Sequence, residues 1–174
     1  RMPSPEEVLR EVTWLKGLPD TVISQIIGLS EQRSYTSGQR IMEQGGAGDG
    51  MIVITGGSVN VSIGDLVVDI MGRGAVIGEM AVLDQGPRSA SVIALIPTEV
   101  IFIPRQIILD LFHESSLFAL RLFNETSARL REFNQKYVEE SLQAERLSLV
   151  GRFARSIVHD FKNPLNVIRL ASEF

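Results

Sequence analysis

No cysteine occurs in the 174 residues, which excludes a disulfide framework, a thiolate metal site and a cysteine nucleophile. No apolar run reaches the roughly 18 residues that a membrane span needs, and Met2-Pro3-Ser4-Pro5 has none of the character of a secretory leader. A soluble chain in the cytoplasm is the expectation. Aromatic residues are scarce at 6%, and there are only 2 histidines, so imidazole chemistry falls to His113 or His159. No Gly-x-x-x-x-Gly-Lys phosphate loop is present, and Gly72, Gly74 and Gly78 miss the dinucleotide-loop spacing by one residue. No set of histidines and carboxylates has metal-ligand spacing. Neither a metal nor a permanently bound cofactor is expected.

What is present is unevenly spread. Residues 1–112 hold 14 of the 15 glycines and 6 of the 7 prolines, with 8 basic against 13 acidic side chains, a net charge of −5. Residues 113–174 hold only Gly151 and Pro164, with 9 basic and 8 acidic side chains, a net of +1. Turn punctuation crowds the first part and nearly vanishes from the second. An acidic first part also argues against a nucleic-acid groove, which needs a basic stripe.

Ser4-Pro5-Glu6-Glu7 reads as a capped helix start. Its apolar face runs over Leu9, Val12, Trp14, Leu15 and Leu18, and Pro19-Asp20 ends it. A second short helix follows to Gly28. Short β-rich runs come next at 40–43, 51–55, 58–63, 66–71, 90–96 and 99–103, separated by glycine-rich turns, a pattern of sandwiches and barrels and here of a jelly roll. Pro104 opens a further helix through Phe112. Beyond Ser115-Ser116 a heptad register holds, with Leu130, Tyr137, Ala144, Gly151, Val158 and Leu165 at a and Phe133, Glu140, Leu147, Ala154, Phe161 and Ile168 at d. A seam sustained over that length predicts a dimeric coiled coil or bundle. The fold class is α+β: a β jelly-roll barrel with flanking helices, then a long dimeric helix. Three segments are expected: residues 1–112 as the barrel with its N-terminal helices, 113–150 as lid and signalling helix, and 151–174 as the start of another domain.

The densest chemistry lies in Gly78-Glu79-Met80-Ala81-Val82-Leu83-Asp84-Gln85-Gly86-Pro87-Arg88-Ser89-Ala90. An apolar run ends at Gly78, a helical turn can begin at Glu79, and Gly86-Pro87 turns the chain before Arg88. The free amides of a helix start converge on one point and suit an anion. An arginine folded back onto that point adds charge and a planar fork of donors. Glu79 would repel a phosphate, so its expected task is to accept from a neighbouring hydroxyl. Together these groups describe a sugar phosphate; a surface Glu–Arg ion pair beside a strand turn accounts for the same residues equally well.

The stretch resembles the phosphate-binding cassette of cyclic nucleotide-binding domains, F-G-E-[LIV]-A-L and then P-R-[ST]-A, with Ile77 for the Phe and Val82 for the Leu. The similarity runs over residues 10–135, including the glycines at 45, 57 and 74. It implies that Glu79 takes the ribose 2′-hydroxyl and Arg88 the cyclic phosphate. Ser89 and the amides around Met80 (Gly78 to Ala81) and at Ala90 would complete the cage, with Val61 and Val68 lining the base pocket. In this family the helix after the barrel covers the base. Alignment with catabolite-activator-like regulators puts Phe133 and Asn134 near the purine. Asparagine can pair bidentately with adenine, which favours cAMP over cGMP, while Ser89 stands where a hydroxyl in some relatives also favours guanine.

Near the end, His159, Asp160 and Asn163 fall at b, c and f of the heptad and share one helix surface off the seam. An exposed imidazole titrates near neutrality and can accept a phosphoryl group, and an adjacent carboxylate can take its proton. On physical grounds alone, an exposed helical histidine is usually without function. Residues 153–170, however, resemble the H-box of sensor histidine kinases, reading Ser156-Ile157-Val158-His159-Asp160-Phe161-Lys162-Asn163-Pro164-Leu165. That resemblance implies His159 as phosphoacceptor, Asp160 as its acid/base partner and Asn163 as the residue that positions water when a response regulator is dephosphorylated. The ATP-binding domain of such kinases is not among these residues, so activity is expected of a parent protein and not of this chain alone. His113 reads as a capping or surface residue.

The partners so implied are a cyclic nucleotide, a second copy of the chain and, for the parent protein, a response regulator, with neither nucleic acid nor membrane. A transcription regulator of the catabolite-activator type is the competing reading. It needs a helix-turn-helix that nothing in 150–174 supplies. A third reading makes 113–174 an oligomerisation strut with His159 incidental.

Overall fold

The computed structural model describes residues 1–160. The chain divides into two units, Arg1–Ser127 and Ala128–Phe174. In the first, α1 (Pro5–Glu11) starts at the expected capping box. The Ser4 amide donates to the Glu7 carboxylate at 2.8 Å, and the Glu7 amide donates to Ser4 Oγ at 3.3 Å. The helix is shorter than its apolar pattern predicts. Val12 turns extended at ψ 124, with its amide bonded to Leu9 O, and the chain goes through turns to Gly17 at φ 84. Trp14 and Leu15 are buried all the same, but from a turn and not from a helix face. α2 (Asp20–Leu29) follows.

The barrel is built from β1 (Glu31–Tyr35), β2 (Arg40–Met42), β3 (Gly50–Gly56), β4 (Ser58–Ile63), β5 (Leu66–Gly72), β6 (Val76–Ile77), β7 (Ser91–Ala94) and β8 (Thr98–Pro104). They form two antiparallel four-stranded sheets, in the orders β1-β8-β3-β6 and β2-β7-β4-β5. Three helices complete the order: α3 (Glu79–Asp84) between β6 and β7, then α4 (Arg105–Glu114) and α5 (Ser116–Asp160). Ser115 Oγ accepts from the Phe118 amide at 3.2 Å and so caps the start of α5.

Strands β3 and β8 are apolar almost throughout because both of their faces are covered. Met51, Val53, Ile101 and Ile103 pack outward onto Val8, Leu9, Trp14, Ile23, Ile108, Phe118 and Leu122. Ile52, Ile54, Val100 and Phe102 point the other way, into the space between the sheets, against Met42, Val59, Val61, Ile77 and Val92. The compact unit extends past residue 112 because the first turns of α5 belong to this core. Phe118 is fully buried and meets Trp14 edge-on, with ring centroids 5.4 Å apart.

In the second unit α5 continues without interruption through Gly151 to Asp160. Leu130, Val138, Leu142 and Leu147 are exposed along it. Seam positions Phe161, Leu165 and Ile168, together with Asn163, lie outside the described residues. Among the described residues no helix is long and apolar enough to cross a membrane.

Candidate functional site

The cassette folds as a strand end, a short helix and a returning arginine. Gly78 closes β6 and caps α3 in the left-handed conformation, φ 94 and ψ 7. A side chain would be strained there: a Cβ would run into Arg88 Nη1, which would have to move, and the φ itself disfavours one. The Gly78 carbonyl accepts from Arg88 Nη1 at 3.3 Å, and Asp49 Oδ1 accepts from Nη2 at 3.1 Å. Arg88 is only 7% exposed. Burial lowers its pKa from the ordinary guanidinium value, and the carboxylate of Asp49 works in the opposite direction. The cation is therefore held in place by one carboxylate and one carbonyl at the root of α3.

The main chain of Arg88 is held as well. Its amide donates to Gly46 O and its carbonyl accepts from the Gly45 amide, both at 2.8 Å. The loop that supplies these partners lies against α3 itself. A Cβ on Gly48 would stand 2.5 Å from the Cβ of Ala81, a spacing only glycine permits. Asp49 was not anticipated from sequence. The available signal was a single acid inside Gly45-Gly46-Ala47-Gly48-Asp49-Gly50.

Of the residues expected from sequence, Gly78, Glu79, Met80, Ala81 and Arg88 are brought together. Glu79 is the first residue of α3 and is buried, Ala81 is buried, and Met80 is half-buried. Ser89 is exposed and Ala90 half-buried, immediately after Arg88. Val61 on β4 and Val68 on β5 join the apolar cluster between the sheets, with Met42 and Ile77. A cavity of about 200 Å3 opens beside β1 and β2 and is lined by Arg33, Tyr35, Met42, Asp49, Phe102 and Arg88 among others. It shares Arg88 with the cassette but not Glu79, Val61 or Val68.

Positions 133 and 134 lie on α5 in the second unit, where Asn134 is exposed. Positions 159 and 160 end α5. The side chains of Phe133, His159 and Asp160 lie outside the described residues, as does Asn163. His113 is exposed in the last turn of α4, where a basic residue complements the helix dipole.

Residues 32–115 match the family model of the cyclic nucleotide-binding domain. This span is a cyclic nucleotide-binding domain. Its type is that of catabolite activators and protein-kinase regulatory subunits. The chain is 39% identical over 93 residues to the cAMP-dependent protein kinase type II regulatory subunit of Drosophila melanogaster, covering 51% of this chain and 25% of that protein. Over 121 residues it is 31% identical to the cyclic AMP receptor protein of Thermus thermophilus, covering 67% and 56%. The crystal structure of the Thermus thermophilus catabolite activator protein superposes with a TM-score of 0.65 at 28% identity, over 74% of this chain and 63% of that one. The chain thus covers between 25% and 56% of these curated relatives' lengths. The two antiparallel sheets and flanking helices are the jelly roll of the cyclic nucleotide-binding domain.

Proposed function

We propose that the barrel senses a cyclic nucleotide, with cAMP preferred to cGMP, and reports its occupancy along α5 to a histidine kinase. The observation that carries the first part is Arg88, a buried cation clamped at the root of α3. A guanidinium has five donors, so a cyclic phosphate can share it with Asp49 in a charge-assisted contact. Glu79 then accepts from the ribose 2′-hydroxyl. Ser89 and the amides from Gly78 to Ala81 and at Ala90 surround the phosphate, and Val61 and Val68 face the base. The preference for cAMP rests on Asn134, whose amide can pair with adenine, beside Phe133.

The second part rests on sequence. The heptad seam supports a homodimer through α5, with Glu140 and Gly151 as its weakest layers. The string around His159 supports a phosphoacceptor helix, with Asp160 as acid/base partner and Asn163 in dephosphorylation, in a cytoplasmic protein that addresses a response regulator. Nucleotide shifts the seam between two packings by no more than its differential affinity for them.

Titration calorimetry with cAMP and cGMP tests the sensor. The parent protein takes up cAMP more tightly than cGMP. Arg88→Ala weakens uptake by about tenfold to a hundredfold, the loss of a charge-assisted contact worth about 1.5–3 kcal/mol. Equal affinity in parent and variant removes Arg88 from the phosphate site, and a parent that takes up neither nucleotide refutes the sensor.

A further inference from the structure

Arg105 stands at the first position of α4. A cation there opposes the positive end of the helix dipole, so some other contact must favour it. Its amide donates to Asp49 O at 2.9 Å, the backbone of the residue that pairs with Arg88. Its Nε donates to Val82 O at 3.0 Å, in a partly buried contact. Val82 lies in the last turn of α3, where helix carbonyls have no partner within the helix.

α3 needs such support. It has 6 residues, no side-chain cap at Gly78, and Gln85 in the left-handed region at φ 59 as its exit. A helix of that length does not hold itself together in water. Gly48 presses on Ala81 from one side, and Arg105 closes the carbonyl end. One arginine thereby joins the cassette helix, the loop that carries Asp49, and α4.

We propose that Arg105 is a positioning residue for the nucleotide site. It does not touch the ligand; it fixes α3 against the 44–49 loop so that Glu79 and Arg88 meet the ligand already arranged. It also makes α4 the first element to feel a movement of the cassette. The proposal rests on the nucleotide reading given above, and its test separates the two.

Amide hydrogen exchange and cAMP calorimetry are run side by side on the parent, Arg105→Ala and Arg105→Lys. Both variants keep the backbone bond to Asp49, so the comparison isolates the side chain. In Arg105→Ala, exchange across residues 79–88 quickens about tenfold while β3 and β8 exchange as in the parent, and cAMP binds about tenfold more weakly. Arg105→Lys recovers part of both. Cassette exchange and affinity within twofold of the parent overturn the proposal. So does faster exchange spread equally over β3 and β8, which marks a general structural role. A parent that takes up neither cAMP nor cGMP refutes the nucleotide reading, and the exchange comparison then decides on its own whether Arg105 anchors the cassette.

Discussion

Ile52, Ile54, Ile101 and Ile103 in the barrel are at most 1% exposed, whereas Leu130, Val138, Leu142 and Leu147 on α5 are between 42% and 74% exposed. The same class of side chain meets opposite fates in one chain. In the barrel, two sheets and the helices against one of them cover every face of β3 and β8 from within residues 1–127. Along α5, Leu130 and Leu147 fall at a and d of the heptad while Val138 and Leu142 fall at b and f, and among the described residues all four are exposed. A single helix draws most of its stability from what packs on it, so the difference separates a part whose apolar strands are covered from within the chain from a helix whose described apolar side chains are not, the contrast on which the proposed dimer rests.

The largest expected effect on this contrast comes from the barrel side. Ile101→Ala removes a fully buried side chain and lowers unfolding free energy by about 2–5 kcal/mol in urea titrations. A loss under about 1 kcal/mol would mean that the sheet flanked on both faces is not the rigid part. Next comes Gly78→Ala, which forces a Cβ into a left-handed position and against Arg88. It costs about 1–3 kcal/mol of stability and displaces the guanidinium, so calorimetry finds cAMP uptake reduced more than the modest shift in melting would explain. Ser4→Ala deletes half of the capping box and costs about 1 kcal/mol, readable as a small drop in melting temperature. Smallest is Leu147→Ala. Chemically it resembles Ile101→Ala, yet it leaves barrel unfolding within about 0.5 kcal/mol of the parent. Its effect appears in sedimentation, as dissociation of the proposed dimer at higher protein concentration. If Leu147→Ala destabilises the barrel as Ile101→Ala does, the two parts are not independent.

Much of the barrel was legible because turn chemistry and alternation are local signals. β4 was anticipated at its full extent, Ser58–Ile63, and α3 at its start, where Gly78 must take a positive φ. One strand left no such trace. β1, Glu-Gln-Arg-Ser-Tyr, is a polar edge strand with only β8 as its neighbour, so no alternation marks it. β6 has 2 residues, fewer than any period can show, and was marked only by the apolar run that ends at Gly78. The first helix was drawn too long because Trp14 and Leu15 are buried from a turn, and burial alone does not distinguish turn from helix. In the site, Arg88 and Glu79 stood in a recognisable string, while Asp49 pairs with Arg88 across 39 positions and Arg105 with Val82 across 23, through contacts that exist only once the chain has folded.

The paired main-chain bonds between Arg88 and Gly45-Gly46 have a consequence for how this site can change. They anchor position 88 through both its amide and its carbonyl without using its side chain. The position is therefore a socket, and the guanidinium is the fitting plugged into it. Exchanging the fitting keeps the two main-chain bonds available, while Asp49 Oδ1 and the Gly78 carbonyl lose their side-chain partner.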